Sequence, residues 1–429
     1  MVERRKPIGV AEAVKKVMQY QIKTEIETVA IEQSYGRFLA MDLVASHDVP
    51  AFDRSPYDGF AIRAEDTESA SSDNPVSFEV VGEIGAGYVF EDEVKPFQAV
   101  RIMTGAQVPA GCNAVVMLEL VKELEVEGKP TILIKRLFKK GDNISFQGED
   151  TQKGTILVKK GTEINPGIVA LLATFGYPTV SVAKKPVIGV IATGTELLDV
   201  DQPLEPGKIR NSNAYMIMAQ IERAGGVAKY YGKLDDDLEA CLTATKQALE
   251  EVDMLITTGG VSVGDYDYVP AILKELGAEV LFNKVAMRPG SVTTVANLGV
   301  KMIYGLSGNP SACYVGFELF VRPMMRRAMF NNAPHLRKSK AVLGVDFPKA
   351  NPFMRLVRAR VDYQDGKLVA SPSGVDKSGI VSSLGGADCL LLLPGGTRGY
   401  EKGMSIDILL LEDSQGSEWP WDNIVASYK

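Results

Sequence analysis

Residues 253–269 read DMLITTGGVSVGDYDYV, and this stretch decides the fold of the central part of the chain. An apolar run leads directly into a glycine turn at Gly259 and Gly260, and a third glycine, Gly264, follows. A buried strand that ends in glycines lets backbone N–H groups approach an anion closely. The spacing matches neither the GK[ST] phosphate loop nor the GxGxxG dinucleotide loop. We therefore predict an anion-binding loop of another kind, with acids such as Asp267 at its rim to hold a divalent cation.

Working outward, residues 186–330 alternate apolar strands with helical patterns. This alternation predicts a doubly wound α/β domain, in which a parallel sheet is covered by helices on both faces. Ligands bind such sheets beyond the carboxyl ends of the strands. Three loops fall at these ends, residues 193–196, 258–267 and 306–310. We expect the three loops to meet at one binding site.

The flanking segments differ in character, so the predicted fold class is a multi-domain α/β plus β protein. Residues 340–412 contain short apolar runs separated by turns, among them the hairpin signal Asp365-Gly366, and predict a small all-β domain. The predicted organisation is a mixed N-terminal region at 1–185 with a β-rich insert at about 50–140, the α/β domain at 186–330, the β-rich domain at 340–412 and a tail at 413–429. We expect the tail to be a loose extension, unless Trp419 and Trp421 dock on the body.

Composition excludes several classes of protein. The 429 residues carry a formal net charge of −7, which argues against nucleic acid as a partner. The chain contains no apolar run near the roughly 20 residues that a membrane span needs. The first residues, MVERRKPIGVAEAV, lack the apolar core of a secretion signal, and four widely spaced cysteines indicate reduced thiols, so we expect a cytoplasmic protein. With only two histidines and no CxxC pair, a metal would be a hard ion bound by carboxylates.

Several motifs allow both a structural and a functional interpretation. Asn309 and Pro310 suit the start of a helix, which is either simply capped or open to a phosphate. Lys284 and Arg288 form a basic loop that is either solvated surface or a phosphate clamp. Glu196 follows a strand and is either a helix-start acid or a metal ligand. Taken together, these motifs indicate an anionic, phosphorylated ligand and a carboxylate-bound Mg²⁺.

Seven segments in this order carry a family resemblance: SPYDGFAI (55–62), MTGAQVPAGCNAVVMLE (103–119), ATGTELL (192–198), GKIRNSNAYM (207–216), TTGGVSVGDYDYV (257–269), KVAMRPG (284–290) and GLSGNPSACYVGFELFVRP (305–323). Together they resemble the molybdopterin molybdenumtransferases, the MoeA family, which also includes the E domain of gephyrin. The resemblance covers about residues 5 to 412. The segments SPYDGFAI, MTGAQVPAGCNAVVMLE and TTGGVSVGDYDYV are specific, whereas ATGTELL alone is a weak signal.

The resemblance implies an enzyme of molybdenum cofactor biosynthesis. Such enzymes take adenylylated molybdopterin and molybdate, release AMP with the help of Mg²⁺, and insert molybdenum into the dithiolene. They are homodimers whose active cleft lies between subunits, and the adenylyltransferase and apo-molybdoenzymes are possible further partners. Two alternatives stay open: a molybdopterin adenylyltransferase, which shares the 186–330 fold, and a gephyrin-like scaffold without turnover. The sequence does not decide between molybdenum and tungsten.

The resemblance also assigns residues. The implied catalytic set, whose last three members are the implied Mg²⁺ ligands, is Asp58, Thr104, Asp150, Glu196, Asp236 and Asp267. The implied substrate- and phosphate-binding set is Gly259, Gly260, Ser262, Gly264, Lys284, Arg288, Ser307, Gly308, Asn309, Pro310, Arg358 and Ser378. Taken alone, Asp58, Thr104 and Asp150 sit in segments that read as ordinary turns.

The chain departs from the family pattern at five positions, and at two of them Thr195 and Asn211 replace acids that are common in the family. Ser307 stands where the family commonly has proline, Arg288 where lysine is commoner, and Ser291 where a lysine often follows the Pro-Gly turn. Arginine is a usable phosphate ligand of different geometry. The departure at Ser291 puts one phosphate contact in doubt, and we expect the chain to keep its activity.

Overall fold

The computed structural model describes residues 6–22, 25–234, 237–260, 268–349, 352–413 and 415–424. The chain forms two compact units, which are described separately. The larger unit combines Met1–Met41, Lys160–Ala170 and Pro178–Lys429, and the smaller one combines Asp42–Lys159 and Leu171–Tyr177. Within the described residues, no helix is long and apolar enough to span a membrane.

The described residues form the following helices and strands, given in chain order. The helices are α1 (Val10–Met18), α2 (Pro166–Thr174), α3 (Asn213–Arg223), α4 (Leu238–Glu251), α5 (Val269–Glu275), α6 (Pro310–Gly316) and α7 (Arg322–Ala328), with a π-helical turn at Phe317–Val321. The strands are β1 (Ile26–Ala30), β2 (Leu43–Val44), β3 (Gly59–Ile62), β4 (Val76–Ile84), β5 (Gln98–Ile102), β6 (Ala114–Met117), β7 (Val121–Val126), β8 (Lys129–Ile134), β9 (Ile156–Val158), β10 (Thr179–Ala183), β11 (Val187–Thr193), β12 (Leu197–Leu198), β13 (Ile209–Arg210), β14 (Val227–Leu234), β15 (Met254–Thr258), β16 (Glu279–Phe282), β17 (Met287–Arg288), β18 (Thr294–Leu298), β19 (Lys301–Leu306), β20 (Arg337–Leu343), β21 (Met354–Gln364), β22 (Lys367–Pro372), β23 (Cys389–Leu393) and β24 (Ser405–Leu410).

The central sheet of the larger unit has the order β14-β11-β15-β19-β18-β16. The first four strands are parallel, whereas β18 is antiparallel to both of its neighbours. The prediction of a purely parallel sheet was therefore wrong at this edge, and strand β18 was missed. Only Gly299 and Val300 separate β18 from β19, and so short a connection joins antiparallel strands.

Helices cover both faces of this sheet, as predicted. Along β11, Ile188 and Val190 pack into the core formed with α3 and α6, while Ile191 packs into the core formed with α4 and α5. Alternate residues of a strand point to opposite faces, so a continuous apolar run is what a strand buried on both sides requires.

The C-terminal strands close into a small barrel. Strand β21 pairs with β22 and also with β23, which completes the ring β21-β22-β20-β24-β23. Asp365 and Gly366 form the predicted two-residue hairpin turn, both with positive φ, 49° and 73°. Strand β17 joins the barrel from the α/β domain by parallel pairing with β21.

The C-terminal tail docks on the larger unit over its described residues, so the expectation of a loose extension was wrong there. Ser417 exchanges backbone hydrogen bonds with His335, and Trp419 packs edge-on against the His335 ring. Trp421 is 7% exposed and belongs to the main hydrophobic core. Two bulky aromatic side chains so close to the end of the chain hold the segment down by burying apolar surface.

The smaller unit is built on a six-stranded sheet of order β6-β3-β5-β4-β8-β7. Phe60 and Ile62 enter one core and Ala61 enters another, on the opposite face of β3. A short β2–β9 pair completes the strands of this unit. The β-rich insert expected at about 50–140 corresponds to this sheet.

Candidate functional site

The loops after β11, β15 and β19 meet at the carboxyl ends of their strands, as predicted. The Gly259 N–H donates to the Leu306 carbonyl at 3.1 Å. A Cβ atom on Gly259 would lie 2.5 Å from the Thr193 carbonyl oxygen, and one on Gly308 would lie 3.7 Å from the Gly259 Cα. Glycine at 259 is thus what allows the three loops to approach one another so closely.

Glu196 lies at the rim of this junction with an exposed side chain. Its carboxylate folds over Gly194, where a Cβ atom would lie 2.4 Å from Oε2. The other predicted Mg²⁺ ligands, Asp236 and Asp267, and the predicted loop residues Ser262 and Gly264 lie outside the described residues.

The described residues do not form a magnesium site by themselves. Among them, no group of three or more potential ligand side chains is found. Glu196 is the one member of the predicted ligand set in this part of the chain, and a single carboxylate is too few to hold Mg²⁺ firmly without substrate oxygens.

The helix start at α6 differs from the open phosphate site that the sequence suggested. Pro310 is the first helical residue and Asn309 occupies the cap position, but the Asn309 side chain makes no capping hydrogen bond. The Ser311 N–H is instead taken by the Ser378 carbonyl at 3.0 Å. Ser307 also has a local role, since its Oγ accepts from the Asn309 N–H at 3.2 Å. The helix start therefore holds a loop of the barrel.

Beside this helix start lies a cavity of about 520 Å³ with cationic walls. Its lining residues are Arg288, Pro289, Gly290, Ser291, Val292, Ser307, Asn309, Ala312, Arg355, Asp376, Lys377 and Ser378. Arg288 and Arg355 are direct partners across β17 and β21. Like charges opposite each other on a sheet repel; Asp376 compensates Arg355 at 2.5 Å, and a further anion beside Arg288 would offset the positive charge that remains. Arg288 and Lys377 are exposed, so the cavity suits an oxyanion.

Two other predicted basic residues are placed differently. Arg358 is 2% exposed and bonds to Asp376, Ser383 and the carbonyls around them rather than facing the cavity. Burial lowers the pKa of its guanidinium, and the neighbouring Asp376 carboxylate opposes that shift. Lys284 is half-buried and is not among the lining residues; its carbonyl accepts from the Ile8 N–H.

Sequence reasoning missed Arg355, Asp376 and Lys377. Lys377 could have been found from the sequence, because a basic residue directly before the predicted binding residue Ser378 is a candidate anion ligand. The Arg355–Asp376 pair joins positions 21 residues apart on a strand and a loop, and only the folded barrel brings them together.

The predicted residues of the smaller unit form a local pair. One Asp58 carboxylate oxygen accepts both the Thr104 N–H at 2.7 Å and the Thr104 hydroxyl at 2.8 Å. These two hydrogen bonds hold the pKa of the exposed Asp58 carboxyl below its ordinary value. Gly59 next to it is required, because a Cβ atom there would lie 2.0 Å from the Val116 carbonyl oxygen. Asp58 is thus a fixed, ionised carboxylate at the protein surface.

Asp150 lies on a neighbouring segment of the same unit. Arg54 forms bridges with both Gln107 and Ser145, so the segments that carry Asp58, Thr104 and Asp150 run side by side. The Asp150 side chain is exposed, and its N–H donates to the Val49 carbonyl.

Fold and site together define an α/β protein with a junction of strand-end loops and a cationic cavity against a β-barrel. Family models match at residues 8–176 as the MoeA N-terminal region, at 189–327 as a probable molybdopterin binding domain and at 340–411 as the MoeA C-terminal region. The chain therefore belongs to the MoeA family of molybdopterin molybdenumtransferases.

Individual relatives agree with this assignment. The chain is 59% identical over 429 residues to the molybdopterin molybdenumtransferase of Bacillus subtilis, covering 100% of both chains. It is 50% identical over 418 residues to that of Staphylococcus aureus, covering 97% of this chain and 99% of the relative. A crystal structure of the MoeA protein from Pyrococcus horikoshii superposes with a TM-score of 0.80 at 32% identity, covering 94% of this chain and 100% of that one.

Proposed function

We propose that this protein is an active molybdopterin molybdenumtransferase, which inserts molybdate into adenylylated molybdopterin and releases AMP. The observation that carries the proposal is the cationic cavity against the barrel, at the side of the strand-end junction. The relatives that bear this enzyme's name match along the whole chain, which disfavours the single-domain adenylyltransferase and gives a pure scaffold no special support.

In this proposal the cavity receives molybdate, the substrate oxyanion. A tetrahedral dianion such as molybdate needs several hydrogen-bond donors around it. Arg288 and Lys377 supply exposed cationic donors on the walls of the cavity. The hydroxyls of Ser291 and Ser378 add neutral donors that suit any orientation of the oxygen atoms. Compared with the lysine common in the family, Ser291 therefore lacks the positive charge but keeps a hydrogen-bond donor at this position.

The strand-end junction would hold the phosphate part of adenylylated molybdopterin. Gly259 and Gly260 both have positive φ, which allows the turn to follow the end of β15 closely and keep bulky side chains away from a phosphate. The position of such loops at the carboxyl ends of parallel strands is the usual binding place in this class of sheet.

Magnesium is part of the proposal as an ion held by Glu196, Asp236 and Asp267 together with phosphate oxygens. When bound, it would supply positive charge to the phosphoanhydride that is cleaved. Glu196 contributes an exposed carboxylate at the rim, and its role is to orient and hold, since a bare carboxylate repels molybdate.

We further propose that the enzyme works as a homodimer in which the smaller unit completes the site of the partner subunit. The ionised and rigidly held Asp58, with Thr104 and Asp150 on adjacent segments, is the surface that would be supplied. Fixed hydrogen bonds to Asp58 keep its carboxylate charged and aimed without reorganisation during the reaction.

AMP release tests the proposed function. Purified protein is incubated with adenylylated molybdopterin, with and without molybdate and Mg²⁺, and AMP is measured by chromatography. The proposal expects AMP release that depends on both ions. Consumption of ATP with free molybdopterin would instead identify an adenylyltransferase, and no release of AMP under any condition would leave only a binding role. Replacing molybdate by tungstate decides which metal is preferred.

A further inference from the structure

One acid, Asp376, stands in the wall of the otherwise cationic cavity. Its side chain is 8% exposed, and its carboxylate contacts three basic side chains. Arg355 donates to Oδ2 at 2.5 Å, Arg358 lies 3.5 Å from Oδ1, and the Lys349 ammonium lies 3.7 Å from Oδ2. A carboxylate beside an oxyanion would normally weaken binding, so its presence needs a reason.

The reason lies in the loop that carries Asp376, residues 373–383. Arg358 donates to the carbonyls of Val375 and Lys377, on either side of Asp376, at 3.4 and 3.3 Å. The same guanidinium bonds to the Ser383 hydroxyl at the far end of the loop. The buried Arg358 guanidinium therefore cross-links the two ends of the loop. Asp376 compensates its positive charge, which would otherwise be costly to bury.

The loop in turn reaches the helix start of the α/β domain. The Ser378 carbonyl accepts the Ser311 N–H at 3.0 Å, and the Ile380 carbonyl accepts the Ser311 hydroxyl at 2.8 Å. Between Asp376 and these contacts, the chain presents Lys377 and Ser378 to the cavity. Fixing Asp376 at one end and Ser378 at the other holds the backbone of Lys377, and this sets the point from which its exposed side chain extends.

We propose that Asp376 is a positioning residue for oxyanion binding: by pairing with Arg355 and Arg358 it fixes the loop so that Lys377 meets the bound anion. This rests on the proposed function of the cavity as the molybdate site. Asp376 does not touch the anion in this account, because its two oxygen atoms face guanidinium groups. The negative charge of Asp376 weakens the long-range attraction of the cavity for anions. This loss is offset because Lys377 is held where it can contact the bound anion.

The test is a double-mutant cycle on the binding of molybdate alone, measured by isothermal titration calorimetry at fixed ionic strength. Asp376→Asn removes the charge at nearly constant shape and is expected to weaken molybdate binding about tenfold, with Lys377→Ala giving a loss of similar size. The double variant is expected to bind no more weakly than the weaker single variant, because Asp376 acts through Lys377. Asp365→Asn is the matched control, since it makes the same charge change in the exposed hairpin turn of the same barrel.

Two further measurements distinguish a positioning role of Asp376 from a purely structural one. In AMP release, Asp376→Asn is expected to raise KM for molybdate while leaving KM for adenylylated molybdopterin unchanged. Asp376→Glu keeps the charge but moves the carboxylate, so it is expected to weaken molybdate binding several-fold at an unchanged melting temperature. It serves as the test variant if Asp376→Asn unfolds.

Three results would overturn the proposal. The first is wild-type affinity, or tighter binding, in Asp376→Asn or in a folded Asp376→Glu. The second is additive losses in the double variant, which would mean that Asp376 does not act through Lys377. The third is a wild-type protein that binds no molybdate, which would remove the proposed function together with this inference.

Discussion

The turn at Gly259 yields a prediction whose size follows from the geometry. The substitution Gly259→Ala adds a Cβ atom 2.5 Å from the Thr193 carbonyl oxygen and 3.1 Å from the Thr193 Oγ1. The first contact reaches van der Waals distance only if the strand ends separate by about 1 Å. Thr193 ends β11 and Gly259 directly follows β15, and because these two strands pair with each other, neither segment moves alone.

Two costs add at this position. The φ angle of 94° costs an alanine about 1–2 kcal/mol. Forcing an atom into a packed junction costs about 1–3 kcal/mol more. The expected loss of unfolding free energy is thus about 2–5 kcal/mol. Gly277→Ala is the matched control, because Gly277 has a φ of 67° and open space where the Cβ atom would stand. It should lose only the backbone contribution, about 1–2 kcal/mol.

Urea unfolding followed by tryptophan fluorescence measures this difference. Both tryptophans of the chain, Trp419 and Trp421, pack on the larger unit and therefore report on the unit that contains the junction. We expect the midpoint of Gly259→Ala to fall clearly below that of Gly277→Ala, together with weaker binding of adenylylated molybdopterin. Equal unfolding midpoints for the two variants would show that close packing of the strand-end loops does not require glycine at position 259.

Three further predictions concern the cavity, the acid of the smaller unit and the tail. Arg288→Ala should weaken molybdate binding about tenfold to a hundredfold, from roughly 1.5–3 kcal/mol for a charge-assisted hydrogen bond, and unchanged affinity by calorimetry would contradict the cavity assignment. Thr104→Val removes one of the donors that depress the pKa of Asp58, so this pKa should rise and the acid limb of the kcat/KM profile should move to higher pH. Thr104→Ser should leave that limb in place, and an unmoved limb in the valine variant would mean that Asp58 does not govern it. Trp421→Ala should lose about 3–5 kcal/mol of unfolding free energy in urea monitored by circular dichroism, whereas the more exposed Trp419 should lose much less on the same change; equal losses would argue against docking through Trp421.

Local sequence patterns were enough for most of the central fold. The continuous apolar run of β11 indicated a strand buried on both faces, and the glycines after β15 indicated a tight turn at the strand end; the buried strand and the turn are both present, whereas the binding of a ligand there stays a prediction. Strand β18, which lies between β19 and the edge strand β16, was not predicted, because a short apolar segment between a basic loop and another strand has no period of its own to identify it. The docking of the tail was not resolved either, since a tryptophan in a polar segment fits equally well with burial and exposure.

The site was predictable only where its chemistry lies in contiguous motifs. Asp58 and Thr104 were named separately through the resemblance, and the structure adds that they pair, with both donors of Thr104 serving one carboxylate oxygen. The roles of Arg355 and Arg358 depended on barrel closure. Arg358 was expected to face the cleft, yet strand β21 directs it into the barrel loop, while Arg355, three residues earlier, lines the cavity. Both arginines contact Asp376, so which of them also lines the cavity depends on the closed barrel and its loop, which local alternation along the strand does not give.

Insertion of molybdenum by this chain can be measured by reconstitution of a molybdoenzyme. Purified protein is supplied with adenylylated molybdopterin, Mg²⁺ and molybdate at a concentration too low for spontaneous insertion, and an apo-molybdoenzyme reports the cofactor that is formed. The account predicts activity that rises with the amount of wild-type protein and falls sharply with Arg288→Ala. Reporter activity that is the same with and without the protein would contradict it.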